Sequence, residues 1–187
     1  GTRPRERVDR LAGVADDAQL VTIAEPLVEP TELDGGAEAP SAEDLEGLLE
    51  VEVPEDGIAI RVCATPDKQG LTAFAMEAAQ FEVKFVNEYF GIKYPFGKLD
   101  IIGIPDFAAG AMENAGAITF REQLLLVRPD APADQLRSVD AVLAHELAHH
   151  WFGNLVTLRW WDDLWLNESF ATWMGTRSTD AVFPQHR

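Results

Sequence analysis

His145-Glu146-Leu147-Ala148-His149, followed by Glu168 within Asn167-Glu168-Ser169, is the stretch on which the reading of this chain turns. On a helix, residues four apart stand about one turn apart on the same face, so both imidazoles can converge on one small cation. Eighteen residues separate His149 from Glu168. Neutral imidazole and carboxylate suit Zn²⁺, and two His plus one Glu leave a fourth position for water. Glu146 follows the first ligand directly. It does not share the metal readily, but it can face the bound water and accept its proton. The residues therefore predict one zinc held by His145, His149 and Glu168, with Glu146 as general base. The plainer reading is a helix whose histidines only pack or cap. The surroundings argue against it: Val139, Val142, Leu143, Leu147 and Phe152 recur at helical spacing, so the motif rides an amphipathic helix. Asp134 or Ser138 is placed to cap its start. Asp162 and Asp163 can cap a second helix beginning near Leu164, with Glu168 in its early turns.

Read outward, residues 145–154 (HELAHHWFGN) and 161–169 (WDDLWLNES) are joined upstream by Gly110-Ala111-Met112-Glu113-Asn114. Together these segments resemble the gluzincin aminopeptidases of the aminopeptidase N family, whose GAMEN exopeptidase motif the upstream segment matches. The resemblance runs from about residue 60 to residue 187, takes in Tyr94-Pro95-Phe96 and Ile104-Pro105-Asp106-Phe107, and fades toward the N-terminus. It implies an α+β fold, the N-terminal half of a thermolysin-like zinc metallopeptidase catalytic domain, preceded by a remnant of a β-rich domain. The expected division is an acidic remnant or linker over residues 1–62 and the catalytic part over residues 63–187. It implies a zinc-dependent aminopeptidase that removes N-terminal residues from peptides carrying a free N-terminus. Physical chemistry agrees on Glu113: a carboxylate near the metal can pair with the substrate α-ammonium and fix its distance from the reacting bond. By resemblance Gly110, Ala111, Met112 and Asn114 lie along the substrate, and Met112 either lines the first side-chain pocket or fills core.

The family also uses a tyrosine as oxyanion donor, several tens of residues after the third ligand. The two tyrosines here, Tyr89 and Tyr94, both precede the metal motif. One such donor is typically worth about 10²–10³ in rate, so the isolated chain is expected to be weakly active or inactive. The chain begins with Gly1 and stops at Arg187 without a clear domain end, and it is expected to be a piece of a longer protein. Two other readings stand beside the peptidase. One is an epoxide-hydrolysing relative, whose version of the motif has Gly where Ala111 stands; the other is an inactive zinc-binding scaffold.

Composition narrows the partners. The formal net charge is −17, from 32 acidic and 15 basic residues, which disfavours nucleic acid and anionic membranes. Residues 11–60 hold fourteen acids and no Lys or Arg. With four prolines and Gly35-Gly36 they suggest a loop or linker, bracketed by strands at 20–23 and 58–62. The single cysteine, Cys63, allows no intrachain disulfide. No apolar run of about eighteen residues is present, and cytoplasmic is the default location. Residues 71–90 read as a helix on the spacing of Phe74, Ala78, Phe81, Phe85 and Tyr89, ended by Gly91. Strands are expected at 99–104 and 117–120, the latter extending toward 124–127. In the family an edge strand equivalent to 117–120 flanks the cleft, where a peptide can pair with it. Arg121 and Glu122 read as a surface ion pair. The five tryptophans are expected mainly to pack between the two metal-bearing helices. His150 points off the ligand face and reads as structural, and Asn167 and Asp163 are candidate partners for the ligating imidazoles.

Overall fold

In the computed structural model, residues 20–22, 49–53 and 57–184 are described. A five-stranded sheet has the order β2-β3-β4-β6-β5. Its strands are β2 (Leu49–Val53), β3 (Ile58–Cys63), β4 (Lys98–Ile104), β5 (Ala111–Met112) and β6 (Ala117–Arg121). β3, β4 and β6 run parallel, and β2 and β5 close the two edges antiparallel. A separate ladder pairs β1 (Leu20–Thr22) with β7 (Val156–Leu158). Among the described residues, three α-helices complete the α+β arrangement: α1 (Ala73–Phe90), α2 (Ala133–His149) and α3 (Leu164–Val182). Among the described residues, no helix is long and apolar enough to cross a membrane.

Alternation along the strands sends Ile58, Ile60, Val62, Leu99, Ile101, Ile118 and Phe120 into one core. α1 covers that face through Ala75, Ala78, Ala79, Val83 and Val86, and α2 adds Leu143 and Leu147. Of the aromatic residues whose spacing marks the helix, Phe74 and Phe85 pack partly against this core. Small residues bring the helix onto the sheet, while Phe81 and Tyr89 stay exposed and stack in a row through Phe85. α1 ends at Gly91, as its sequence predicts, in a left-handed turn.

Four further expectations are revised. The strand at 117–120 is interior, between β4 and β5, so the free edge next to the exopeptidase segment is β5. It does not extend to 124–127: the chain turns at Glu122–Leu124 and buries Leu125, Leu126 and Val127 instead. Neither Asp134 nor Ser138 caps α2, which starts after Pro132 with no side-chain cap bond; the Ser138 hydroxyl is spent on the Asp134 carbonyl inside the helix. α3 does start at Leu164, but a short turn at Trp161–Asp163 leads into it and Asp163 makes no cap hydrogen bond. β3 runs through Cys63, and β2 and β3 belong to the same sheet as β4. Most of the acidic 1–62 segment lies outside the described residues.

Where the three helices meet, Glu82 of α1 and Asp140 of α2 are fully buried beside Ser178 and Thr179 of α3. None of their four carboxyl oxygens has a well-formed hydrogen bond. Burial, and then the Asp140 charge, push Glu82 up to about 8; burial pushes Asp140 up to about 6. A raised carboxyl keeps its proton in the fold after the unfolded chain has lost it. The stability this site contributes is therefore complete below the ordinary carboxyl range and is lost as pH rises toward 8. Glu82→Gln should remove the Glu82 share of that loss, leaving that of Asp140. Relative to the parent, the variant should gain about 2–4 kcal/mol between pH 4.5 and 8 by chemical denaturation. Parallel pH dependences of the two proteins would refute it.

Candidate metal centre

α2 carries His145 and His149 one turn apart, and their Nε2 atoms converge at 3.1 Å. α3 packs against α2 and brings Glu168 Oε2 to 3.3 Å from His145 Nε2 and 3.6 Å from His149 Nε2. Donor atoms bound tetrahedrally at about 2.0–2.1 Å from one zinc stand about 3.3–3.4 Å from one another. The triangle fits that ion. His149 is buried, His145 is partly open, and the Glu168 side chain is 56% exposed, so the group opens to solvent on one side. Burial, with the neighbouring His149, holds His145 below its ordinary pKa, which favours the neutral imidazole a metal requires.

The far ring atoms meet α3 and the turn after α2. Thr172 Oγ1 lies 3.4 Å from His145 Nδ1, and Thr172 stands one turn beyond Glu168 on the same face of α3. His149 Nδ1 and Asn167 Oδ1 are both buried without a partner, and both border Gly153. A Cβ on Gly153, whose φ is 140°, would stand 2.7 Å from the amide oxygen and 3.2 Å from the ring nitrogen. An acceptor near Nδ1 is what an imidazole bound through Nε2 needs. Asn167 and His149 both border Gly153 without a hydrogen bond between them, and no contact of Asp163 with the imidazoles is seen among the described residues. Gly175 performs the other close approach, since a Cβ there would lie 3.0 Å from the His145 backbone nitrogen.

Glu146 is 7% exposed on the same helix. Burial, then the charges of Glu113 and Glu168, raise its carboxyl to about 8. A divalent cation among the ligands opposes that repulsion. The same couplings put the Glu113 carboxylate within electrostatic range of both Glu146 and His145. Within the segment 110–114, Ala111 and Met112 form β5 on the sheet edge, with Ala111 opposite Phe120 and Met112 opposite Thr119. Met112 is exposed rather than part of the core. Gly110 accepts from the Arg121 backbone N–H at 2.8 Å, and the Asn114 side chain donates to Thr119 at 3.2 Å. Arg121 does not pair with Glu122: its guanidinium donates to the carbonyls of Phe107, Ala108 and Ala109, the loop leading into β5. Glu122 is bound by Lys68.

His150 is structural, as its position off the ligand face suggests. It is buried, its Nδ1 lies 2.8 Å from the Tyr94 hydroxyl, and Phe96 packs edge-on against its ring. Burial pushes it down to about 3. The Tyr94-Pro95-Phe96 segment thus holds the end of α2 in place. The tryptophans depart from expectation. Trp151 alone is buried, donating to the Ile92 carbonyl; Trp160, Trp161, Trp165 and Trp173 are 67%, 73%, 64% and 48% exposed. Trp160 and Trp161 wall a 310 Å³ cavity with Leu158, Leu164 and Asn167. Thr172 and Gly175 went unnoticed in the sequence, and neither Arg121 nor Asn154 was read there for the contacts it makes. Of these, Thr172 carried a signal, its spacing of four from Glu168.

Comparison with known proteins gives the same direction. The Peptidase family M1 domain matches residues 74–187. "Probable aminopeptidase 1" of Sulfurisphaera tokodaii is 55% identical over 126 residues, 67% of this chain and 16% of that protein. "Aminopeptidase M1" of Arabidopsis thaliana is 49% identical over 70% of this chain and 15% of its own length. "Endoplasmic reticulum aminopeptidase 2" of Homo sapiens is 49% identical over 69% of this chain and 14% of its own length. The chain spans 14–16% of the length of these relatives.

Proposed function

The chain belongs to peptidase family M1, and on that premise we propose that it carries the metal site and amine anchor of a zinc-dependent aminopeptidase with a thermolysin-like catalytic domain. The convergence of His145, His149 and Glu168 on one point, within the field of Glu146 and Glu113, carries this reading. His145, His149 and Glu168 hold one zinc. When bound there, zinc supplies a water of lowered pKa and polarises the scissile carbonyl. Glu146 accepts the proton of the attacking water and returns it to the leaving nitrogen. Glu113 pairs with the free α-ammonium of the peptide. Gly110, Ala111, Met112 and Asn114 run along the first residue of the substrate, on the free edge of β5.

The oxyanion donor is the part for which the described residues offer no candidate. Tyr94 is buried and engaged with His150 and the Lys98 carbonyl. Tyr89 packs against Trp173 beneath Arg177. The 187 residues alone are therefore proposed to hydrolyse peptides weakly or not at all. The epoxide-hydrolysing and non-catalytic readings draw no support from the relatives cited, which are named aminopeptidases.

The test is Glu113→Ala in the whole protein. An ammonium–carboxylate pair is worth roughly 10- to 100-fold in binding. KM for amino-acid p-nitroanilides with a free amine should rise by about that factor, and the preference over N-acetylated substrates should collapse. Equal discrimination before and after the change would show that Glu113 does not anchor the amine.

A further inference from the structure

The peptidase reading needs the amine anchor and the metal to stand at a fixed separation, yet Glu113 and His149 are on different elements and 36 residues apart. Asn154 joins them. Its side-chain Nδ2 donates to the Glu113 carbonyl at 2.8 Å, and its backbone N–H donates to the His149 carbonyl at 2.9 Å. The turn after α2 is what allows this. Asn154, Leu155 and Val156 each donate to the carbonyl five residues back, so the chain leaves the helix in a wide turn. That turn carries the Asn154 side chain toward the β5 segment. The Thr157 hydroxyl donates to the carbonyls of Gly153 and Asn154 and braces the same turn.

We infer that Asn154 is a positioning residue for aminopeptidase selectivity: it ties the Glu113 backbone to the ligand-bearing end of α2 and so sets the distance between the substrate ammonium and the metal. The inference rests on the amine-anchor reading of Glu113. Asn154 contributes none of the converging ligand atoms, and its side chain acts through Glu113. Arg121 supports the other end of the segment by holding the carbonyls of residues 107–109. That clamp lies before β5, whereas Asn154 grips the anchor residue itself.

The experiment is a double-mutant cycle in the whole protein, combining Asn154→Ala and Asn154→Asp with Glu113→Ala. The aspartate keeps the shape and replaces the donor with an acceptor facing a carbonyl, so it gives a second variant should the alanine fold poorly. Three quantities are read: zinc per chain, KM and kcat on free-amine p-nitroanilides against their N-acetyl counterparts, and calorimetric binding of free and N-acetylated amino-acid amides. Zinc should stay near one per chain. One lost hydrogen bond is worth about fivefold to tenfold. Free-amine KM and amide binding should weaken by about that factor with kcat nearly unchanged, while the acetylated compounds hardly respond. In the Glu113→Ala background the same Asn154 changes should have no further effect. Loss of zinc in both Asn154 variants, or an equal effect with and without Glu113, would overturn the inference and leave Asn154 a structural residue. If Glu113→Ala removes free-amine selectivity and neither Asn154 variant alters it, the inference fails and the amine-anchor reading stands. If Glu113→Ala leaves selectivity intact, both fall together.

Discussion

Glu146→Gln is expected to retain about one zinc per chain while lowering turnover of the whole protein by about 10²–10⁴-fold, the range a positioned general base supplies. Glutamine matches the shape of glutamate and cannot take a proton from water. The ligands are left untouched, because Glu146 is not among the atoms that converge on the metal point. Nor should the fold suffer. Glu146 is nearly buried and crowded by the charges of Glu113 and Glu168, so a neutral side chain relieves repulsion there. Elemental analysis and kcat measured on one preparation check both halves of the expectation. Turnover within about twofold of the parent, with zinc present, would remove Glu146 from the chemistry, since even a weak base contributes far more than that.

Glu168→Ala should strip the metal. The parent is expected to hold about one zinc per chain after dialysis. The variant should lose affinity by more than about 10²-fold, beyond what loss of an outer partner of a ligand costs. This variant separates the metal from the fold cleanly. The Glu168 side chain is 56% exposed and buries no apolar surface of consequence, so truncation opens no cavity. Circular dichroism and elemental analysis together give the answer. A folded variant that keeps its zinc would mean the third ligand lies elsewhere.

Much of this centre was legible because helical spacing is a strong local rule. Four residues fix the relation of His145 to His149, and the start of α3 at Leu164 fixes the turn that presents Glu168. The family resemblance supplied Glu113, whose role no local pattern would have assigned. The spacing of apolar residues located α1 correctly, but spacing alone does not say which of them is buried. On α1, alanines allow a close approach to the sheet that aromatic side chains would prevent, so Phe81 and Tyr89 are left at the surface. The tryptophans misled for a related reason: size suggests burial, but four of the five lie on the outward side of the loop and helix that carry them. The bonds made by Asn154 and Arg121 were invisible because each acts on backbone carbonyls distant in sequence, and such bonds leave no compositional trace.

Gly175 stands two turns beyond Glu168 and presses against the backbone of His145. The two helices that carry all three ligands are therefore spaced at a point where backbone meets backbone. How long an ion stays becomes a matter of how readily two rods part, and not of donor chemistry alone. Sequence drift at this position would surface as sensitivity to chelators in a protein whose coordinating residues are all intact, an effect that inspection of the ligands would never explain.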